Sequence, residues 1–219
     1  MQKYVIIVAG GKGSRMGTAT PKQFLELAGK PVLMYTIEKF AHTLPTAKLI
    51  IVLPEAEIPL WESLVKAHDF AIAHTTTAGG ETRFHSVSNG LKLVERGGVV
   101  AIHDGVRPFV ANEVIINSFE TAEKTGNAIA AVSLKDSIRS ISSSGSKAED
   151  RSAFKLIQTP QTFRTDLILD AFNTAYQPFF TDDASVAEHA GHKVNLIEGN
   201  YENIKITTPE DLKVAQAFL

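Results

Sequence analysis

The stretch VIIVAGGKGSRMG, residues 5–17, runs from β-branched residues straight into four glycines, Gly10, Gly11, Gly13 and Gly17. Glycine backbones let amide N–H groups approach an anion closely, in conformations closed to other residues. Lys12 and Arg15 lie within this loop, and Lys22 follows in Pro21-Lys22-Gln23. Three cations along one glycine turn repel each other unless an anion lies between them, and a triphosphate would satisfy all three. A glycine turn with solvated lysines at its rim is the plainer alternative. The spacing is neither GxGxxG nor GxxxxGK[ST], so dinucleotide hydride transfer and P-loop chemistry lose their main support.

Further along, Asp104 ends a buried apolar run. A carboxylate there is either a magnesium ligand beside phosphates or a turn former. His103 reads as a hydrogen-bonded packing residue, and Arg107 either holds an anion or pairs with a carboxylate. On its residues alone, Lys205 in Asn203-Ile204-Lys205-Ile206 is a solvated lysine on a strand-like run.

These residues need a scaffold. Valine- and isoleucine-rich runs at 4–9, 48–53, 99–103 and 128–132 are apolar on both faces, as buried parallel strands are. Between them, helical periodicity predicts helices over 31–42, 84–95 and 111–125, the last stopping before Gly126; later ones cover 165–176 and start at Thr208-Pro209-Glu210. Alternating strand and helix predicts an α/β fold: a Rossmann-like, mainly parallel sheet with helices on both faces and ligands beyond the carboxyl ends of the strands. Residues 133–155 break the pattern. Ile138, Ser140 and Ile141 beside the tract Ser142-Ser143-Ser144-Gly145-Ser146 fit a hairpin with a polar tip, or else a surface loop. One domain over 1–219, with that excursion, is the expected organisation.

Composition narrows the chemistry. A formal net charge of -2 without like-charge blocks leaves no footprint for nucleic acid or an anionic membrane. With no cysteine, disulfides, zinc-thiolate sites and cysteine nucleophiles are excluded, which fits a cytoplasmic protein. The apolar run ending at Ala9 is followed by Lys12 and Arg15 rather than a cleavage site, and no run approaches the roughly 20 residues of a spanning helix.

The frame AGGKGSRMG…PKQF…GKPVL resembles nucleotidyltransferases that join a sugar or polyol phosphate to a nucleoside triphosphate. The motifs AGGETR…SV (78–87), HDGVRPF (103–109), TPQTF (159–163), TDDAS (181–185) and EGNYENIKIT (198–207) resemble, in order over nearly the whole chain, the 2-C-methyl-D-erythritol 4-phosphate cytidylyltransferases of the non-mevalonate isoprenoid route. The resemblance implies attack of the acceptor phosphate on the α-phosphorus of CTP, releasing pyrophosphate. Such chemistry needs no enzyme nucleophile, and catalysis rests on positioning and charge neutralisation.

By resemblance, Arg15 and Lys22 stabilise the transition state, and the backbone of Ala9, Gly10, Gly11 and Gly13 cradles the triphosphate. Gly80, Glu81 and Ser86 surround the cytosine. Glu81 stands where the family has aspartate, so this part of the reading rests on backbone contacts. Asp104 is the expected Mg2+ ligand, other divalent cations being alternatives, and Arg107 an acceptor-phosphate ligand. Lys205 and Arg151 position the acceptor, Arg151 reaching the partner's site from a dimerisation arm over 133–155, with Ser137 in place of a threonine. A homodimer with composite sites is the implied assembly. A cytidylyltransferase for another polyol phosphate such as ribitol 5-phosphate, and a regulatory module that kept the fold without turnover, are the alternatives.

Overall fold

The computed structural model describes residues 1–10 and 20–219. In chain order the elements are β1 (Lys3–Val8), a 3-10 turn (Lys22–Phe24), a small pairing of β2 (Glu26–Leu27) with β3 (Lys30–Pro31), α1 (Val32–Thr43), β4 (Lys48–Leu53), α2 (Ile58–Ala67), β5 (Thr75–Ala78) and α3 (Arg83–Leu91). There follow β6 (Val99–Asp104), α4 (Asn112–Thr125), β7 (Asn127–Ser133), the hairpin β8 (Ile138–Ser142) and β9 (Gly145–Glu149), β10 (Lys155–Arg164), α5 (Thr165–Ala171), α6 (Asp183–His189), β11 (Leu196–Glu198) and α7 (Pro209–Gln216).

Seven strands form one sheet in the order β11-β7-β10-β6-β1-β4-β5. β1 pairs in parallel with β4 and β6, β4 with β5, and β11 with β7, whereas β10 runs antiparallel between β6 and β7. The four apolar runs therefore all point the same way, as expected, with an opposed strand inserted among them. Both faces are covered: Val5 and Ile7 of β1 pack with α1, α2 and α4, while Tyr4 and Ile6 pack with α3, α5 and α6. That double burial explains why these strands show no polar face in the sequence.

Several boundaries differ from expectation. The helix expected over 84–95 stops at Leu91, although Val94 stays buried in the following turn. The one expected over 165–176 stops at Ala171, because Phe172 and Tyr176 leave the helical path to pack on Phe84, their rings 4.8 and 5.9 Å from it. Residues 203–206 form no ladder strand; Ile206 N–H donates to the Val106 carbonyl at 3.0 Å, and Ile204 and Ile206 pack beside Leu27 and Val32. The hairpin of residues 138–149 does form, as a two-stranded sheet of its own with Ser142 opposite Gly145.

The carboxyl ends of β1, β4, β5 and β6 converge on one edge. There Ala9 N–H donates to Val52, Gly79 N–H to Leu53 and Gly105 N–H to Val8, at 2.9, 2.7 and 2.9 Å. Gly105 lies where nothing larger fits: a Cβ would meet the Ala9 Cβ at 2.8 Å and the Leu33 Cδ1 at 3.0 Å. Its carbonyl also accepts from the buried Thr36 hydroxyl at 3.0 Å. Gly105→Ala should therefore lower stability by about 1–3 kcal/mol, the scale of overpacking a filled core. Urea denaturation checks this, and an unchanged midpoint would refute it.

Candidate active site

The site is built around Asp104, the last residue of β6 and 7% exposed. Its N–H donates to the Thr159 hydroxyl at 3.0 Å, which fixes the backbone. Its carboxylate faces three cations: Lys205 Nζ at 3.0 Å, Arg107 Nε at 3.1 Å and Arg83 Nε at 3.8 Å. Burial alone would raise its pKa; Lys205, Arg83 and Arg107 outweigh that and hold the carboxyl well below the usual range. Arg107 is itself anchored, its Nη1 donating to the Asn203 carbonyl at 2.7 Å. Lys205, in the extended segment after Asn203, is the more exposed partner at 38%.

Two clefts meet at this carboxylate, and Arg83, Asp104 and Lys205 line both. The first also takes in Ala9, Gly10 and Lys22 from one side and Gly80, Glu81 and Ser86 from the other. Lys22 stands on a 3-10 turn whose other two residues are buried: Phe24 stacks on Trp61 with centroids 6.1 Å apart, and Gln23 donates to Glu57 at 2.5 Å. Across the cleft, the Ser86 hydroxyl donates to the Thr82 carbonyl at 3.0 Å and accepts from Gly80 N–H at 3.1 Å. A Cβ on Gly79 would lie 2.8 Å from Ser86 Oγ, and one on Gly80 2.4 Å from His85 Cβ, so the turn closes only with glycine. Ser86 thus shapes the turn, and the exposed Glu81 sits at its mouth. The second cleft adds Arg107, Gln158, Thr181 and Asp182.

Arg15, Gly11 and Gly13 lie outside the described residues. Arg151 and Ser137 are exposed and line neither cleft; the Arg151 guanidinium donates to the Lys135 carbonyl. Arg83 joins the site without having been singled out in the sequence. It makes a bidentate pair with Asp183, Nη1 to Oδ1 at 2.8 Å and Nη2 to Oδ2 at 2.6 Å. The signal was its position: a cation opening α3 opposes the helix dipole and calls for a carboxylate elsewhere in the fold.

Among known proteins, the family profile of 2-C-methyl-D-erythritol 4-phosphate cytidylyltransferase matches residues 3–219. The chain belongs to this family. It is 50% identical to the enzyme of that name from Bacteroides thetaiotaomicron and 52% to that from Bacteroides fragilis, each over 219 residues covering 100% of both chains. Among solved structures, it resembles the cytidylyltransferase of Francisella tularensis at a TM-score of 0.83 and 31% identity, covering 100% of both chains. The 4-diphosphocytidyl-2C-methyl-D-erythritol synthase of Anaerococcus prevotii gives 0.84 at 28% identity, covering 99% of this chain and 95% of that one. The chain is thus a cytidylyltransferase of nucleotidyltransferase fold.

Behind the reactive edge of this cytidylyltransferase lies His103, fully buried against Phe40. The Arg107 carbonyl can only accept, so His103 Nε2 carries the proton and donates to it at 3.0 Å; in the neutral ring Nδ1 then accepts from the Thr159 hydroxyl, also at 3.0 Å, while that hydroxyl accepts from Asp104 N–H. Both ring nitrogens are satisfied in the neutral form. Burial lowers the His103 pKa from 6.5 to about 4. Since the unfolded chain binds the proton first on acidification, stability should fall as pH drops from about 6.5 towards 4, by up to about 3 kcal/mol. Denaturation of wild type and His103→Gln across that window checks this: the variant should show the shallower slope, and parallel slopes would refute it.

Proposed function

We propose that this cytidylyltransferase transfers CMP from CTP to 2-C-methyl-D-erythritol 4-phosphate and that it does so in the cytoplasm. One observation carries the reading: two clefts converge on a wall of Arg83, Asp104 and Lys205, with Lys22 in the first and Arg107 in the second. A wall rich in cations between two cavities suits the joining of two phosphate-bearing substrates. In the proposed step an acceptor phosphate oxygen bonds to the α-phosphorus, the bond to the β-phosphate bridging oxygen breaks, and pyrophosphate leaves with that electron pair. Lys22, with Arg15 of the glycine loop, neutralises charge on the non-bridging oxygens. Lys205 and Arg107 hold the acceptor phosphate, and the constricted turn at Gly79 and Gly80 offers backbone groups to the cytosine.

A resident metal ion does not fit these residues: among the described residues no three metal-ligating side chains cluster, and Asp104 is already faced by three cations. A magnesium ion arriving on the triphosphate does fit. Asp104 Oδ1, which faces Arg83 Nε at 3.8 Å, would give one ligand, the nucleotide and water the others. Such an ion supplies charge neutralisation on the phosphates.

The same reading makes the arm of residues 133–155 a dimerisation element carrying Arg151 and Ser137 into the partner's site. Support comes from their lining neither cleft of their own chain and from the exposed apolar side chains of Ile141, Phe154, Leu156 and Ile157 along the arm and its root.

The deciding experiment is pyrophosphate release with CTP, magnesium and either 2-C-methyl-D-erythritol 4-phosphate or ribitol 5-phosphate. Release with the former alone is expected, and release with the latter alone would overturn the acceptor assignment. Lys22→Ala should lose at least about 100-fold in kcat while remaining folded, the scale of removing a key transition-state donor. For the shared site, Arg151→Ala and Lys22→Ala should each be inactive alone. After subunit exchange their equimolar mixture should recover about a quarter of wild-type activity, from the one intact site in each heterodimer. No recovery, with exchange confirmed, would refute the composite site.

A further inference from the structure

Arg83 ties together parts of the site that no single motif connects. Its fork is clamped on Asp183, the first residue of α6, whose side chain is 1% exposed. Gln161 of β10 holds the same helix end: its Oε1 accepts from the N–H groups of Asp183 and Ala184 at 3.0 and 2.9 Å, and its Nε2 donates to Asp182 at 2.9 Å. Two residues back on β10, Thr159 holds the backbone of Asp104. One strand therefore fixes both carboxylates, and the guanidinium spans the gap between them.

The geometry is particular to arginine. With Nη1 and Nη2 on Asp183, the Nε edge faces Asp104 Oδ1 at 3.8 Å, an attraction without a hydrogen bond. Asp104 Oδ2 is left to Lys205 and Arg107. Without Asp183, Arg83 would have Asp104 as its nearest carboxylate and would compete for it with Lys205. A lysine at 83 would offer a point charge able to meet one carboxylate but not both.

We infer that Arg83 is a positioning residue: clamped by Asp183, it holds Asp104 in the orientation that presents Lys205 and Arg107 to the acceptor phosphate. The inference rests on the proposed reaction and deepens it. It places the functional weight of Arg83 on the acceptor side, although the residue lines both clefts.

The test compares wild type, Arg83→Lys, Asp183→Asn and the charge-free pair Arg83→Met with Asp183→Asn. Readouts are melting temperature, kcat/KM for 2-C-methyl-D-erythritol 4-phosphate by pyrophosphate release, and Kd for CTP by calorimetry without acceptor. Arg83→Lys should lose at least about tenfold in acceptor kcat/KM with the CTP Kd changed less than about threefold. The charge-free pair should regain the melting temperature lost in Asp183→Asn, because no buried charge is left unpaired, without regaining kcat/KM. Three results would overturn the inference: acceptor kcat/KM in Arg83→Lys within about threefold of wild type, CTP affinity falling as far as kcat/KM, or kcat/KM recovering with melting temperature in the charge-free pair. Should either design fail to fold, the other still decides. A wild type that releases no pyrophosphate would overturn the proposed reaction and this inference together, whereas an active wild type with an unaffected Arg83→Lys overturns the inference alone.

Discussion

A carboxylate that stays ionised while buried imposes conditions on everything around it. Asp104 is such a group: removed from water at the end of β6, it persists as an anion because Lys205, Arg107 and Arg83 surround it. These partners come from the extended segment before α7, the loop after β6 and the start of α3. One charge thus gathers three separate stretches of chain at the carboxyl edge of the sheet. Removing the Asp104 carboxylate would leave the three cations gathered on it without their shared counter-charge, which is why such a cluster resists piecemeal change.

The inserted strand β10 makes this arrangement possible. A parallel strand beside β6 would reach the same edge with its carboxyl end, whereas β10 arrives from that edge, carrying Gln158, Thr159, Gln161 and Thr162 into the interior. Each has a partner there. Thr159 serves Asp104 and His103, Gln161 caps α6, Thr162 donates to Ser118 at 2.9 Å, and Gln158 donates to the Asn200 carbonyl at 2.9 Å. Buried polar side chains are tolerated when so satisfied, and here they serve as the site's internal framework.

The same physics governs what could be read from sequence. β1, β4, β6 and β7 are covered on both faces and announce themselves as apolar runs. β5, with the residues Thr75, Thr76, Thr77 and Ala78, and β11, with Leu196, Ile197 and Glu198, are edge strands that pack on little and carry no such signature. β10 escaped because its interior positions are polar and include Pro160. At the site, glycines and cations beside a strand end pointed to phosphate chemistry, and Lys22, Gly80, Ser86, Asp104 and Lys205 do share one cleft. Single residue types could not show which cation meets which carboxylate. Arg83 and Asp183 are 100 residues apart and become partners only once α3 and α6 pack on the same face.

That pairing bears on how strongly the site should hold its ligands. Among the described residues at the wall between the clefts, Arg83, Arg107 and Lys205 face the two carboxylates Asp104 and Asp183, so most of the positive charge of these three is already compensated before any phosphate arrives. A wall of bare cations would bind CTP and pyrophosphate tightly alike, stabilising ground state and product with no gain in rate. With Asp104 as a competing anion, Lys205 and Arg107 are held in place by its carboxylate and are only partly available to phosphate. On the proposed reaction, their attraction outweighs the internal ion pairs most where negative charge is densest, as acceptor and nucleotide phosphates are brought together for transfer. The carboxylate that orders the cations therefore also limits how strongly they can trap what enters or leaves.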